Sequence, residues 1–291
     1  MKKPVALLCA AALMLSLAAC GDFAPDPTAA PDATLDYSYS SDSFPAVAGS
    51  SAYEPLMEAV AAIMLGTTRT NAARHLSFGA TDAAWAALGS GEADVVVAPE
   101  GSSMPSGVDT APIARDALVF FVGEGSSVSD LSSDELADIF SGRAEDWSSY
   151  GGSGTMRILT RPEGSGSIAA LDSLIGCDSA LVTGESLPLT GDNVIGFGFW
   201  SECELLGLAD GYKIISVEGV APSAETVASG EYPLTVEYLV GISSSAAEDS
   251  PERTLYDWLC GSVGQAFISS QGYFAPRAAE NSAPEAEGVT E

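Results

Sequence analysis

Short runs of consecutive apolar residues alternate along this chain with stretches in which apolar residues recur every three or four positions. These runs occupy residues 93–98, in which Asp94 is the one charged residue, 117–122 and 238–242. A strand with one solvated face shows alternating polarity, whereas an unbroken run is typical of a strand covered on both faces. Strands of this kind interleaved with helices predict an α/β fold. The length, 291 residues, favours two lobes over one core.

Three helical patterns are clear enough to predict which side faces the core. The first begins near Tyr53 and the third near Pro251. The second begins at the capping box of Ser132 and Glu135 and stops at Gly142. The predicted core-facing residues are Leu56, Val60, Ile63 and Met64, then Leu136, Ile139 and Phe140, then Leu255, Trp258, Leu259, Val263 and Phe267.

The first twenty residues are predicted to be an export signal rather than part of the fold. Lys2 and Lys3 precede an apolar stretch at 5–19, shorter than the roughly 20 residues that a membrane-spanning helix needs. The stretch ends in Leu-Ala-Ala-Cys-Gly, which resembles the lipobox of bacterial lipoproteins. That resemblance implies lipidation of Cys20 and an extracytoplasmic protein anchored to the cell membrane by its lipid. The alternative is an ordinary cleaved signal with an incidental cysteine.

Composition and charge define the two ends of the body and exclude some partners. Residues 21–42 are rich in Pro, Ala, Asp and Ser and are interpreted as a flexible tether, and residues 277–291 as a disordered acidic tail. The formal net charge is −29. A chain this acidic does not attract nucleic acid or an anionic membrane surface through its general field.

Few residues are available for catalysis. His75 is the only histidine, and no P-loop, GxGxxG, HExxH or G-x-S-x-G motif occurs. A serine or cysteine nucleophile needs a neighbouring base, and a lone histidine in a helix-to-strand stretch is usually structural. We therefore predict a protein that is not an enzyme and that uses no cofactor.

Three cysteines follow Cys20 in the sequence, and their spacing matches no metal-binding motif. They are Cys177, Cys203 and Cys260. Outside the cytoplasm a Cys177–Cys203 disulfide is permitted. Three small buried thiols are an equally good interpretation. No metal site is predicted.

Three turns rich in glycine and hydroxyl side chains open predicted helices, at 49–52, 78–82 and 161–167. A helix N-terminus presents unpaired N–H groups and a partial positive charge, glycine permits close approach, and hydroxyls add donors. Arg161 adds a permanently charged, forked donor. Together the turns predict a site for a small anion, although each turn alone is also explained as a helix cap.

Six segments resemble, in order along the chain, the phosphate-binding solute receptors of ABC importers, the PstS type. They are AGSSAYEPLMEAVA (48–61), PIARDALVFFV (112–122), LSSDELADIFSGRAEDWSSYGG (131–152), RPEGSGSIAAL (161–171), VEGVAPSAETVASGEYPL (217–234) and GQAFISSQGYFAP (264–276). The resemblance implies a type II periplasmic-binding-protein fold, with two α/β lobes joined by crossover strands and closing on the ligand. It implies a first lobe at 43–119, a second lobe at 120–232 and a return to the first lobe at 233–276.

The same resemblance implies what the protein binds and where. The expected ligand is inorganic phosphate or a similar small anion, the expected partners are ABC permease subunits, and the protein is expected to be a monomer. The implied contacts are Ser50, Ser51, Ala52, Thr81, Glu100, Arg161, Ser165, Gly166 and Ser167. Trp147, a signature residue of the family, is expected to pack rather than to bind.

Two of these residues replace family features. Thr81 stands where the family has a Gly/Ser/Thr-rich turn, and Glu100 follows Ala98 and Pro99 where the family has Ser-Asp, whose carboxylate accepts the proton of hydrogen phosphate. Two alternatives therefore keep the fold: a receptor for another oxyanion or organic anion, and a degenerate receptor that acts as a sensor or interaction module. A hydrolase on this scaffold is opposed by the missing pair of nucleophile and base.

Overall fold

The computed structural model describes residues 39–102, 104–179 and 191–277. The predicted export signal with Cys20, the tether up to residue 38 and the acidic tail after residue 277 lie outside the described residues. Within the described ranges, no helix is both long and apolar enough to cross a membrane.

The strands form one mixed sheet and a small two-stranded ribbon. Their bounds are β1 Val47–Ser50, β2 Leu76–Gly79, β3 Val95–Pro99, β4 Val108–Gly123, β5 Asp130–Leu131, β6 Arg157–Ile158, β7 Val194–Phe199, β8 Tyr212–Ile214, β9 Ser216–Val217 and β10 Thr235–Ser243. The large sheet has the order β2-β1-β3-β10-β4-β7-β6, with β8 also paired to β4, and β5 pairs with β9. β1 is parallel to β2 and β3, whereas β10 is antiparallel to β3 and β4.

Strand β4 belongs to both halves of the molecule. Its first part, as far as Ala117, pairs with β10, and its last part, from Leu118, pairs with β7. We refer to the half built on β1, β2, β3 and β10 as the first lobe, and to the half built on β6, β7 and β8 as the second lobe. A strand that leaves one lobe and enters the other is the crossover of a two-lobed α/β architecture.

Helices connect the strands and cover the sheet. Their bounds are α1 Glu54–Leu65, α2 Arg69–Ala72, α3 Thr81–Ser90, α4 Ser133–Phe140, α5 Gly166–Ile175, α6 Trp200–Leu206, α7 Ala224–Ser229, α8 Pro251–Cys260 and α9 Ser262–Ser270. Short 3-10 turns lie at Ser51–Tyr53, Ala73–His75 and Trp147–Tyr150. The order β1-α1-β2-α3-β3 produces the parallel part of the first lobe, since parallel neighbours need a helical crossover between them.

Strand β3 is covered on both faces, as its unbroken apolar sequence predicts. Val95 and Val97 belong to the main core, whereas Val96 and Ala98 pack in a separate cluster with Trp85 of α3. All four strand residues are fully buried. The absence of alternation in the sequence therefore reflects helices on both sides of this strand.

Helix α4 begins with the predicted capping box. The Ser132 hydroxyl accepts the N–H of Glu135 at 3.2 Å, and the Glu135 carboxylate accepts the N–H of Ser132 at 2.8 Å. Leu136, Ile139 and Phe140 are buried. The sequence thus predicts both the start of this helix and the side that faces the core.

The prediction of one continuous helix from Pro251 is wrong, because two helices occupy that stretch. α8 ends at Cys260, and α9 begins at Ser262 after extended backbone at Gly261 (φ −76°, ψ 162°). A Cβ on Gly264 would clash with the Trp258 carbonyl, so the two helices meet at a close approach instead of continuing. Val263, predicted to face the core, is 43% exposed because the second helix has a different direction.

The folded body begins earlier than the predicted end of the tether at residue 42. The Tyr39 N–H donates to the Met64 carbonyl at 2.9 Å, and its ring packs edge-on against Phe44. These contacts attach the segment to helix α1. Residues 39–42 are therefore part of the body.

All three cysteines after Cys20 are free thiols in this structure. Of the two alternatives, free thiols and not a disulfide therefore describe Cys177 and Cys203. Cys203 is buried, Cys177 is half-buried and Cys260 is exposed. The expectation that all three are buried is wrong for Cys260, because it is the last residue of α8, just before the turn at Gly261.

Candidate functional site

Three turns meet at one edge of the first-lobe sheet. Because β1 is parallel to β2 and β3, their carboxyl ends, at Ser50, Gly79 and Pro99, lie at the same edge. Ligands of open α/β sheets bind in the crevice outside these ends. The helical turn at Ser51–Tyr53 and helix α3 begin there, and the 161–167 turn of the second lobe approaches from the other side.

The two lobes touch where α3 and α5 begin. The Thr81 N–H donates to the Gly164 carbonyl across the lobes at 2.9 Å. A Cβ on Gly166 would lie 2.7 Å from Ser50 Oγ, 3.0 Å from Pro99 Cγ and 3.2 Å from Thr81 Oγ1. Only glycine allows the start of α5 to approach these first-lobe residues so closely.

The polar groups at this contact are buried, and two of them lack partners. Ser50 and Thr81 are each 1% exposed, and Ser167 is 2% exposed. Thr81 Oγ1 and Arg161 Nε, on facing turns, have no hydrogen-bond partner within the described ranges. Buried polar atoms in folded proteins are nearly always hydrogen-bonded. Thr81 Oγ1 lies at the interlobe contact and Arg161 Nε lies on the second-lobe turn that leads to it, so both are available to donate to a bound acceptor.

The Arg161 guanidinium is held in place by one carboxylate. Its Nη2 forms an ion pair with Glu202 Oε1, and both side chains are largely buried. The second carboxylate oxygen, Oε2, accepts the Phe199 N–H at 3.0 Å, which fixes Glu202 at the start of α6. A guanidinium oriented in this way is suited to donate to an oxyanion.

Helix α5 directs its N-terminus at the same contact. Its N-cap residue, Ser165, makes no side-chain capping bond, and the Ser165 and Ser167 hydroxyl oxygens lie 3.4 Å apart. The first N–H groups of a helix have no intrahelical partners and carry a partial positive charge. The described residues contain no cluster of His, Cys, Asp and Glu that could hold a metal ion. Amides and hydroxyls converge here and the turn that leads to them carries a guanidinium, which is the chemistry of a small-oxyanion site.

The nine predicted contact residues differ in burial. Ser50, Ala52, Thr81, Gly166 and Ser167 are buried, Arg161 and Ser165 are half-buried, and Ser51 and Glu100 are exposed. The ring of Pro99, and not a carboxylate, lies beside Gly166. The role of Glu100 as proton acceptor stays a prediction. Trp147 is buried and its Nε1 donates to the Asn193 carbonyl at 2.9 Å, consistent with packing.

Two residues important to the site are marked by no motif. Glu202 pairs with Arg161 although the two are 41 positions apart in sequence. Asp116 is 1% exposed and interrupts the apolar segment 112–122. Charged residues inside a run otherwise fit for burial were the one available signal, and they point to Arg115 and Asp116 but not to Glu202.

Comparisons with known proteins are consistent with this geometry. A family model described as a PBP superfamily domain matches residues 29–258. The phosphate-binding protein PstS of Bacillus subtilis (strain 168) is 26% identical over 289 residues, which cover 93% of this chain and 93% of that protein. The phosphate-binding protein PstS of Borreliella burgdorferi is 22% identical over 189 residues, covering 57% of this chain and 66% of that protein.

Solved structures show the same fold. An ABC-type phosphate transport receptor from Vibrio cholerae superposes with a TM-score of 0.63 at 21% identity, covering 79% of this chain and 99% of that chain. A putative phosphate ABC transporter substrate-binding protein from Clostridium perfringens, with bound phosphate, gives 0.62 at 19% identity, covering 79% and 98%. The predicted two-lobed type II fold is thereby confirmed. Because the family model covers most of its length, the chain belongs to the PBP superfamily.

Proposed function

We propose that this protein is a solute receptor of an ABC importer that captures inorganic phosphate between its two lobes. The observation that carries the proposal is the interlobe contact at Gly166, where Ser50 and Thr81 face the N-terminus of α5 and the buried Thr81 Oγ1 lacks a partner among the described residues. Similarity to the Bacillus subtilis phosphate-binding protein over 93% of both chains supports phosphate as the ligand. Its relatives are receptors and not enzymes, in agreement with the missing nucleophile and base.

The donors are sufficient in number to overcome the acidic surface. Micromolar affinity corresponds to about −8 kcal/mol, and each hydrogen bond to a charged group contributes about 1.5–3 kcal/mol. Surface charges farther away than about 8 Å are largely screened at physiological salt. The net charge of −29 therefore slows the arrival of an anion more than it weakens an anion already enclosed.

One observation favours a second candidate ligand. The residue beside Gly166 is Pro99, whose ring offers no proton acceptor, and the neighbouring Glu100 is exposed. An oxyanion without a proton, such as sulfate or molybdate, needs no acceptor at that position. The second candidate function is therefore a receptor of the same fold for another oxyanion.

Calorimetric titration of the purified protein distinguishes these ligands. We expect inorganic phosphate to bind with micromolar or tighter affinity and sulfate, molybdate and phosphonates to bind more weakly. Tighter binding of sulfate or molybdate would replace phosphate by the second candidate. Absence of heat with all of these anions at millimolar concentration would contradict both, and would favour the degenerate receptor that acts as a sensor or interaction module.

We further propose an extracytoplasmic location, a monomeric state, attachment to the membrane by lipid on Cys20, and delivery of the ligand to ABC permease subunits. The lipobox-like sequence around Cys20 supports the anchor. Replacing Cys20 with serine is expected to move the protein from the membrane pellet to the soluble extracytoplasmic fraction, because the thiol that carries the lipid is lost. Recovery of the unmodified protein in the soluble fraction would instead indicate an ordinary cleaved signal.

A further inference from the structure

Asp116 lies at the point where β4 passes from one lobe to the other. Its neighbour Ala117 is the last residue of β4 paired with β10, and Leu118 is the first paired with β7. The Asp116 side chain is 1% exposed. A buried carboxylate is costly unless it is hydrogen-bonded, so the partners of this group indicate what it holds in place.

On the side of the first lobe, Asp116 contacts the turn that follows Ser50. The Tyr53 hydroxyl donates to Asp116 Oδ2 at 3.4 Å. Tyr53 is fully buried and ends the 3-10 turn that begins at Ser51. The carboxylate therefore contacts the first-lobe turn of the candidate anion site.

On the side of the second lobe, Asp116 contacts the start of α6. The Ser201 hydroxyl donates to Oδ2 at 2.5 Å, and the Ser201 N–H donates to Oδ1 at 3.2 Å. The Ala117 N–H also donates to Oδ1, at 2.8 Å. Ser201 directly precedes Glu202, the residue that holds the Arg161 guanidinium. The same carboxylate is thus linked to the second-lobe half of the site.

We propose that Asp116 is a positioning residue that couples the two halves of the anion site, so that anion affinity depends on its carboxylate although it does not touch the anion. The inference rests on the proposed function as an anion receptor. Four donors point at its two oxygens, and all of them require an acceptor. A proton on Oδ2 itself needs an acceptor, so the Tyr53 or the Ser201 hydroxyl would have to accept from Asp116 instead of donating to it.

This arrangement makes anion affinity sensitive to pH near neutrality. Burial and, to a smaller extent, the charge of Glu202 raise the pKa of the Asp116 carboxyl to about 7. Hydrogen bonds from Ser201 and Ala117 lower the pKa but do not cancel the effect of burial. As the pH falls through that value, Asp116 gains a proton and loses acceptor capacity. We therefore expect the contribution of Asp116 to affinity to be full above about pH 7 and to fade below it.

The other titratable groups that face Asp116 do not reproduce this behaviour. Burial raises the pKa of the Tyr53, Tyr238 and Tyr273 hydroxyls and of the Cys203 thiol, so all four stay neutral at physiological pH. The remaining neighbour, Glu202, is in an ion pair with Arg161. Asp116 is therefore the group of this cluster whose raised pKa lies near neutrality.

The effect on stability has the opposite sign to the effect on affinity. An acid whose pKa is higher in the folded state than in the unfolded state retains its proton preferentially in the folded state. Its contribution to the free energy of unfolding therefore increases as the pH falls from about 7 toward about 4. If affinity decreased at low pH only because the fold was destabilised, affinity and stability would decrease together. A positioning role instead makes affinity decrease while stability increases.

The test compares Asp116→Asn with the unmodified protein in calorimetric titrations with inorganic phosphate from pH 5 to pH 8. Since phosphate itself changes protonation in this range, the ratio of the two dissociation constants at each pH is the quantity of interest. We expect Asp116→Asn to bind about fivefold more weakly at pH 8, and the ratio to approach one at pH 5. The matched control is Asp109→Asn, which makes the same chemical change on the same strand at a 44% exposed side chain.

A double-mutant cycle keeps the proposal testable if Asp116→Asn folds poorly. Tyr53→Phe and Ser201→Ala each remove one hydroxyl donor to Asp116, and we expect the double variant to lose less affinity than the product of the two single losses. A pH-independent ratio together with additive losses would overturn the inference while leaving the proposed function intact. Failure of the unmodified protein to bind any oxyanion would overturn the proposed function and the inference together.

Discussion

Replacing Arg161 with alanine is expected to weaken phosphate binding by at least about a hundredfold. The guanidinium is the one cationic side chain of the candidate site, and its Nε is buried without a partner in the described part of the chain. Loss of the charge-assisted hydrogen bond that Nε is free to make, at about 1.5–3 kcal/mol, together with loss of the positive charge accounts for that magnitude. The substitution also leaves Glu202 buried without its cation, and a buried uncompensated carboxylate repels the anion.

Two further variants separate these causes. Arg161→Ala combined with Glu202→Gln removes the unpaired carboxylate. We expect this double variant to unfold at a higher temperature than Arg161→Ala but to bind phosphate no more tightly. Arg143→Ala removes the same charge from an exposed ion pair with Asp138 and should leave the dissociation constant unchanged. Phosphate affinity of Arg161→Ala within about threefold of the unmodified protein would contradict the assignment of Arg161 to the site.

Replacing Gly166 with alanine is expected to weaken binding by at least about thirtyfold. The added Cβ would lie 2.7 Å from Ser50 Oγ and 3.0 Å from Pro99 Cγ, closer than van der Waals contact permits. The start of α5 must then move away from the first lobe, which misplaces its amides relative to Ser50 and Thr81. Because the clash lies between the lobes rather than inside either core, we expect the midpoint of thermal unfolding to change little.

Gly89→Ala provides the control for this substitution. Gly89 lies within α3, and its added Cβ would make only ordinary contact with Pro105, at 3.6 Å. We expect calorimetry to show unchanged phosphate affinity for that variant. Equal affinities of the Gly166→Ala and Gly89→Ala proteins would show that the close approach of the lobes is not needed for binding.

Local signals in the sequence predicted the elements whose boundaries depend on neighbouring residues. The capping box at Ser132 and the continuous apolar run of β3 predicted a helix start and a doubly covered strand correctly. The break at Gly261 was not predicted, because apolar spacing continues across it. The break is accompanied by the close approach of Gly264 to the Trp258 carbonyl, which only the packing of two helices reveals.

In the candidate site, too, features with a local sequence signal could be predicted and long-range contacts could not. The turns that contain Ser50, Thr81 and Gly166 could be predicted because glycine and hydroxyl residues at helix starts have a local chemical meaning. The pairing of Arg161 with Glu202 and the bridge from Asp116 to Ser201 could not, since strand order brings those residues together from distant positions. The position of Pro99 beside Gly166 likewise follows from lobe closure rather than from sequence spacing.

The position of β10 in the sheet has a consequence for how the chain matures. β10 lies between β3 and β4 at the centre of the sheet, yet it follows all the other described strands in the sequence. Until it has emerged, β3 and β4 present unpaired edges that favour association with other chains. The sheet of the first lobe is therefore completed last, by a strand from the far end of the polypeptide. Pairing between such distant parts of a chain slows folding. A chain that acquires its central strand at the end cannot complete its first lobe until nearly all of the polypeptide is available.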